Sequence, residues 1–312
     1  ITDHECLSSH MRVNKYAKKL RETNPDFTVA LGNEIYLVKD RSSGQKYYHF
    51  ILIAKDEIGY KALKQMSSIA WYNIYTDRRM ERVPILYSEV AEVMKEYKGH
   101  VIATTACIGG YLGSEIMLME ECESVDDWRN AEEHYNNIIL FLDWATQTFG
   151  REDFYLEVSP AKSGEQKLVN DRIQRLAEKF ELNVCIGSDS HYMRPEDRWV
   201  HKAYLNSKGG EREVDAFYES TYLMSPDECR ELLKLSFNDD FELIDSSGLE
   251  QDIDVKLLSD KSKILYTRFS SEGLNVRGEI YLPAPFDNCS IIFEKIYIIT
   301  YVSILHKLNN IQ

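Results

Sequence analysis

Residues 184–197 read VCIGSDSHYMRPED: an apolar run of strand length, then Asp189 and His191 two positions apart, then a polar, proline-bearing turn. Reading this stretch as the end of a strand sets how the rest of the chain is read. Where strands alternate with helices, chemistry collects at the carboxyl ends of the strands. The alternation recurs along the chain. DFTVALG (26–32) and YYHFILIA (47–54) are rich in β-branched and aromatic residues, and 57–75 places Tyr60, Leu63, Met66 and Ile69 or Ala70 on one helical face. Residues 87–97 read as a helix capped by Ser88, and HVIATTA (100–106) as a buried strand running to Cys107 and a turn at Gly109-Gly110. A long helix over 126–150 closes at Gly150; FYLEVS is a strand, 165–180 a helix and LNVCIGS a strand. The pattern predicts an α/β fold with parallel strands covered by helices, as a barrel or an open sheet.

The totals fit a globular chain: 312 residues, 44% hydrophobic and 12% aromatic. Lys and Arg number 37 against 51 Asp and Glu, a net charge of −14, which excludes tight nonspecific binding to a polyanion unless positive charge is gathered locally. The six cysteines are scattered without a C-x-x-C pair and read as reduced thiols, which predicts a cytoplasmic protein. The most apolar stretch, IIFEKIYIITYVSIL (291–305), is interrupted by Glu294 and Lys295 and falls short of the ~20 residues of a membrane span, so no membrane partner is expected. The amino end carries neither a signal-peptide core nor an initiator methionine and reads as that of a fragment. After about Leu235 the texture turns acidic and weakly periodic, which divides the chain into 1–235 and a divergent tail, 236–312.

Six residues stand out as candidate ligands. In an extended segment residues i and i+2 face one side, so Asp189 and His191 can converge on one ion; the alternative is a turn aspartate with a surface histidine. Glu34, taken to follow the strand FTVALG, is flanked by apolar residues and is costly to bury unless a cation or a salt bridge offsets its charge. His4 follows the short strand ITDH. Cys107 reads either as a thiolate ligand or as a small core hydrophobe, and His49, inside an apolar strand, either as a ligand or as a core residue. Mixed His, Asp, Glu and Cys ligands suit zinc or manganese. His10 and His134 read as solvated helix residues, His100 as the start of a strand, and His201 as a helix residue packed beside the site. The segment DRRMERVP (77–84) reads as a helix with clustered Arg78, Arg79 and Arg82, either a solvated face or a phosphate contact.

The order of motifs ITDHECL, ALGNEIYLV, YYHFILIAKDEIGYKALKQMSS, VIATTACIGGYLGSEI, FYLEVSP, IGSDSHYMRPEDRWVHKAYL and FYESTYLMSPDE resembles the PHP (polymerase and histidinol phosphatase) domain of bacterial and phage DNA polymerase III alpha subunits, over about residues 1–235. The resemblance implies a distorted (β/α)7 barrel of TIM type with a multinuclear cluster of divalent ions, zinc or manganese with magnesium as a further option, at the strand ends. It carries the family's ligands onto His4, Glu34, His49, Cys107, Asp189 and His191, gathered into one pocket, with Asp189, His191 and Glu34 nearest the chemistry. It further implies metal-dependent phosphoesterase or 3′–5′ exonuclease activity, and, within the full polymerase, DNA (a single strand or primer 3′ end) and other polymerase subunits as partners. Two departures accompany it. The family's first strand, with an H-x-H pair and a further Asp, has no counterpart before Ile1, and the polymerase palm, fingers and thumb have none after 235, so nucleotide addition is not expected of this chain. The alternatives are a catalytically inactive structural module and, on weaker grounds, a stand-alone phosphatase for a small phosphoester.

Overall fold

The computed structural model describes residues 1–25, 27, 29–41, 46–77, 80–206 and 218–234. They fall in two compact units, the first Ile1–Glu157 and the second beginning at Val158, each taken by itself.

In the first unit β1 (Thr2–His4) and α1 (His10–Arg21) lead into β2 (Gly32–Val38) and β3 (Tyr48–Ala54). Then come α2 (Glu57–Tyr72), the short strands β4 (Tyr75–Asp77), β5 (Met80–Arg82) and β6 (Ile85–Leu86), α3 (Tyr87–Tyr97) and β7 (Val101–Thr104). Helices α4 (Tyr111–Ser124) and α5 (Trp128–Phe149) precede β8 (Phe154–Val158). The sheet runs β1-β2-β3-β7-β8, with β6 sharing the β1 edge of β2.

The expectation of uniformly parallel strands is corrected at β3. The pairs β1–β2, β2–β6 and β7–β8 are parallel, but β3 runs antiparallel to both β2 and β7. Only nine residues, 39–47, link β2 to β3, and a link that short turns the chain back instead of carrying it over the sheet. Three further boundaries move. The strand expected over 26–32 begins only at Gly32, where pairing with β1 starts, so Glu34 lies inside a strand and not after one. The segment expected as a helix over 77–84 contributes one arm of the β4–β5 hairpin, with Tyr75 opposite Arg82; it has no apolar helical stripe to bury, and Arg78 and Arg79 lie outside the described residues. Helix α3 starts one residue before Ser88 and is capped by Glu89, whose carboxylate accepts the Leu86 N–H at 2.9 Å.

One face of the sheet meets the long helix α5. Phe50 of β3 packs against Phe141, Trp144 and Phe149, with ring centroids 5.7 to 6.2 Å apart, a set of contacts in which each fully buried ring contributes about 1.5–3 kcal/mol. Lys55, at the end of β3, is buried but paired with buried Asp153 at 2.7 Å. Helix α2 sits against the entry to β7 so closely that a Cβ on Gly59 would lie 1.9 Å from the His100 carbonyl oxygen. The two histidines expected in solvent are corrected as well. His10 is buried with Ala17, seven residues on along the same face of α1, and its Nδ1 lies 3.3 Å from the Tyr60 hydroxyl. His134 is half-buried and pairs at 2.9 Å with Glu115, a buried carboxylate of α4 that needs the partner.

The second unit holds α6 (Gly164–Phe180), β9 (Asn183–Ile186), α7 (Arg198–Asn206) and α8 (Pro226–Lys234). After β9 the Gly187 N–H donates to the Val158 carbonyl at 3.0 Å. The boundary expected near 235 and the tail 236–312 lie outside the described residues. Among the described residues no helix is long and apolar enough to cross a membrane, and no two cysteines form a disulfide.

Asp56 caps α2 by accepting the Gly59 N–H at 2.8 Å, and it meets His100 Nδ1 at 2.6 Å. Partial burial pushes its carboxyl up, but the Gly59 N–H and the His100 hydrogen bond outweigh this and hold it below the usual range. A carboxyl depressed in the folded state adds stability above its unfolded pKa and loses it as pH falls through the folded value. Replacing the cap, Asp56→Ala, is expected to cost about 1 kcal/mol at neutral pH, and the gap from wild type should close below pH ~4 when both are unfolded by denaturant.

Candidate metal centre

Strand register assembles the centre. In the parallel β1–β2 ladder His4 stands opposite Glu34, and in the antiparallel β2–β3 ladder His49 stands opposite Tyr36. Glu34 and Tyr36, two apart, share one face of β2, while Ile35 and Leu37 go to the core on the other. Three strands therefore present His4, Glu34 and His49 side by side. The Glu34 side chain is 7% exposed; its Oε1 lies 2.7 Å from His49 Nδ1 and 3.6 Å from His4 Nδ1. One ligand atom from each of the three falls within 4.8 Å of the others.

Cys107 joins them from the turn after β7. Its Sγ is 3.8 Å from His49 Nδ1. The His49 N–H donates to the Gly109 carbonyl at 3.2 Å and the Gly110 N–H to the Cys107 carbonyl at 2.8 Å, so the turn is tied to the middle of the site. Here glycine is required for close approach: a Cβ on Gly110 would meet the Thr105 carbonyl oxygen at 2.2 Å, and one on Gly109 would press on the His49 ring at 3.3 Å. Among the described residues five non-glycine residues have positive φ, and three of them fall at or beside residues expected as ligands: Glu5 after His4 (58°), Ala106 before Cys107 (57°) and Asp189 itself (42°). Left-handed backbone at such residues costs of order 1 kcal/mol or more, and strain of this kind gathers where side chains are aimed for function.

Tyr36 was not among the expected site residues, although its place two positions after Glu34 was the available signal. Its hydroxyl lies 3.1 Å from His4 Nδ1, and its ring stacks on His49 (5.1 Å) and on Tyr47 (4.5 Å). Burial first, then the carboxylates of Glu5 and Glu34, raise its pKa far above the ordinary value, so it keeps its proton.

Asp189 and His191 belong to the second unit. They meet there, but not by strand alternation: β9 ends at Ile186, and left-handed Asp189 turns the chain so that its own carbonyl lies 2.7 Å from His191 Nδ1. The Asp189 carboxylate is 3.8 Å from the same nitrogen. An Nδ1–H donated to the carbonyl leaves Nε2 with its lone pair, the state a metal ligand needs. His201 of α7 packs beside this pair as expected, its ring 5.2 Å from that of His191, and burial, followed by the neighbouring His191 and Arg198, lowers its pKa to about 4.

The donors of the first unit fit a divalent ion of intermediate softness. Two imidazoles, a nearly dry carboxylate and an adjacent thiol match zinc or manganese better than magnesium, which prefers oxygen ligands and retained water.

Comparison with known proteins gives the family. Residues 1–161, more than half of the chain, match the PHP domain, and the chain belongs to that family. It is 38% identical over 242 residues to a probable DNA polymerase, YorL, of Bacillus subtilis, and equally to a DNA-directed DNA polymerase of Bacillus phage SPbeta, covering 74% of this chain and 18% of each relative. It is 28% identical over 252 residues to the DNA polymerase III subunit alpha of Borreliella burgdorferi, covering 77% of this chain and 19% of that one. The chain thus spans about a fifth of the length of these relatives. Asp189 and His191 fall beyond the stretch matched to the PHP domain.

Two variants separate ligand from support. Glu34→Gln is expected to abolish stoichiometric zinc or manganese binding by the first-unit centre, and Tyr36→Phe to weaken it ~10-fold while leaving the fold intact, both read by metal titration.

Proposed function

We propose that the chain is the PHP module of a replicative DNA polymerase and a metal-dependent phosphoesterase, with the 3′ end of single-stranded DNA as substrate, on a distorted (β/α)7 barrel. The observation that carries the reading is the convergence of His4, Glu34 and His49 from three neighbouring strands, with Cys107 beside them. Membership of the PHP family and the names of the polymerase relatives supply the DNA context.

In this reading His4, Glu34, His49 and Cys107 hold divalent ions, and Asp189 and His191, the remaining matches to the family's ligand set, hold metal as well. A divalent ion so held supplies Lewis acidity, acidifying water and offsetting the charge that develops on a phosphodiester. The protein's own contribution is placement. Glu34 brings a negative charge into a nearly dry site, where its attraction to a cation is strongest. The Gly109-Gly110 turn fixes His49, and Tyr36 keeps its proton and fixes His4 through the hydroxyl.

A second reading, an inactive structural module, draws on one feature: the 2.7 Å contact of Glu34 Oε1 with His49 Nδ1 already gives the buried carboxylate a partner. Turnover separates the two. With zinc or manganese added, the chain is expected to release 3′ nucleotides from a single-stranded oligonucleotide, and Asp189→Ala and Glu34→Gln to lower the rate at least ~100-fold. Stoichiometric metal with no hydrolysis in wild type would establish the structural module instead.

A further inference from the structure

The β4–β5 hairpin is fastened to the centre by a closed circuit of contacts. Glu5, the left-handed residue directly after His4, donates its N–H to the Glu34 carbonyl at 2.8 Å and turns its side chain toward the hairpin, where Oε1 accepts the Val83 N–H at 3.0 Å. The residue before Val83, Arg82, lays its guanidinium over the Tyr47 ring, 4.9 Å from the centroid. Tyr47 stacks on Tyr36 at 4.5 Å, and the Tyr36 hydroxyl returns to His4 Nδ1 at 3.1 Å. Arg82 also acts electrostatically on Glu5 and Tyr36, both neighbours of the ligands.

We propose that Arg82 is a substrate-binding residue, the guanidinium that receives a phosphate oxygen of a nucleotide as the ester approaches the His4–Glu34–His49 group. Three observations support it. First, the chain carries a net charge of −14, so a polyanion is repelled in general and needs a cation gathered at the point of entry. Second, that cation is an arginine on an aromatic shelf, whose planar fork is held in direction by the ring and can present paired N–H groups to a phosphate. Third, the shelf is the same stack that carries His49, with Tyr47 and His49 rings nearly coplanar in orientation (4°) and 6.5 Å apart, so the position of Arg82 is fixed relative to the ligands. The hairpin's backbone tie to Glu5 serves the same end. The inference rests on the phosphoesterase reading for its substrate class.

The test uses the full chain loaded with manganese and the variants Arg82→Ala, Arg82→Gln and Arg82→Lys. Calorimetry gives the Kd for thymidine 5′-monophosphate, kinetics give KM and kcat on a single-stranded oligonucleotide and on a small aryl phosphodiester, and metal stoichiometry and thermal denaturation report the centre and the fold. Loss of the guanidinium is expected to raise both the nucleotide Kd and the oligonucleotide KM ~10-fold, proportionally more than kcat falls, with Arg82→Lys recovering part of the loss and metal stoichiometry unchanged. A rise confined to the nucleotide and oligonucleotide assigns Arg82 to nucleic acid; an equal rise with the aryl ester assigns it to the phosphate alone, and either result supports the proposal. Unchanged Kd and KM overturn it, as does a loss of metal and melting temperature in step with binding, which makes the arginine a structural partner of Tyr47. Hydrolysis that Arg82→Ala leaves untouched sinks this inference alone; Arg82-dependent nucleotide binding without any hydrolysis sinks the phosphoesterase reading alone; and a wild type that binds no nucleotide sinks the arginine's role whatever the metal does.

Discussion

A carboxylate held almost out of water between two imidazoles is the constraint on which the first unit turns. Glu34 sits on a central strand with its side chain 7% exposed, and such a group is tolerated only where positive charge or hydrogen-bond donors offset the lost hydration. The sheet supplies both neighbours by register alone, His4 directly across the β1 ladder and His49 two positions along from the residue opposite Glu34 on β3. A slip of one residue in either ladder would turn the histidine to the opposite face and leave the carboxylate unpaired. Site and sheet therefore specify one another.

The same constraint accounts for the unusual backbone around the centre. Left-handed Glu5 and Ala106 bend the chain directly beside His4 and Cys107, and in the turn next to His49 a Cβ on Gly110 would collide with the Thr105 carbonyl oxygen. These features are local costs, and the pairing of β3 with both β2 and β7 holds them in place. In the second unit left-handed Asp189 plays a comparable part, presenting its own carbonyl to His191. That unit also buries a polar stripe on α6, Gln166, Asn170 and Gln174. Asn170 bonds both the N–H and the carbonyl of Ser159, which fixes the chain directly after β8.

Much of this was legible in the sequence. Alternating apolar and helical segments gave the element order, and the residues at strand ends included His4 and Cys107. What the one-dimensional pattern could not carry was pairing. Glu34 was placed after a strand because the β-branched run before Gly32 outweighs GNEIYLV by propensity, yet the strand begins where β1 offers hydrogen bonds. His49 read equally well as a core residue until the β2–β3 ladder set it beside Glu34. Tyr36 was hidden for the same reason, being visible only through ring stacking across strands; Arg82 reads from sequence as either a solvated face or a phosphate contact, but on a helix, and its place beside Tyr47 emerges only once 80–82 is a hairpin arm. His10 and His134 were misjudged because polar sequence neighbours say little about the face of a helix turned inward.

The central claim is that His4, Glu34 and His49 form a cation site. The most direct measurement is anomalous diffraction from crystals of the chain grown with manganese or zinc, collected at the metal edge. The account predicts a strong peak within bonding distance of the Glu34 carboxylate and both imidazoles; peaks confined to other surfaces, with Glu34 and His49 still paired to one another, would contradict it.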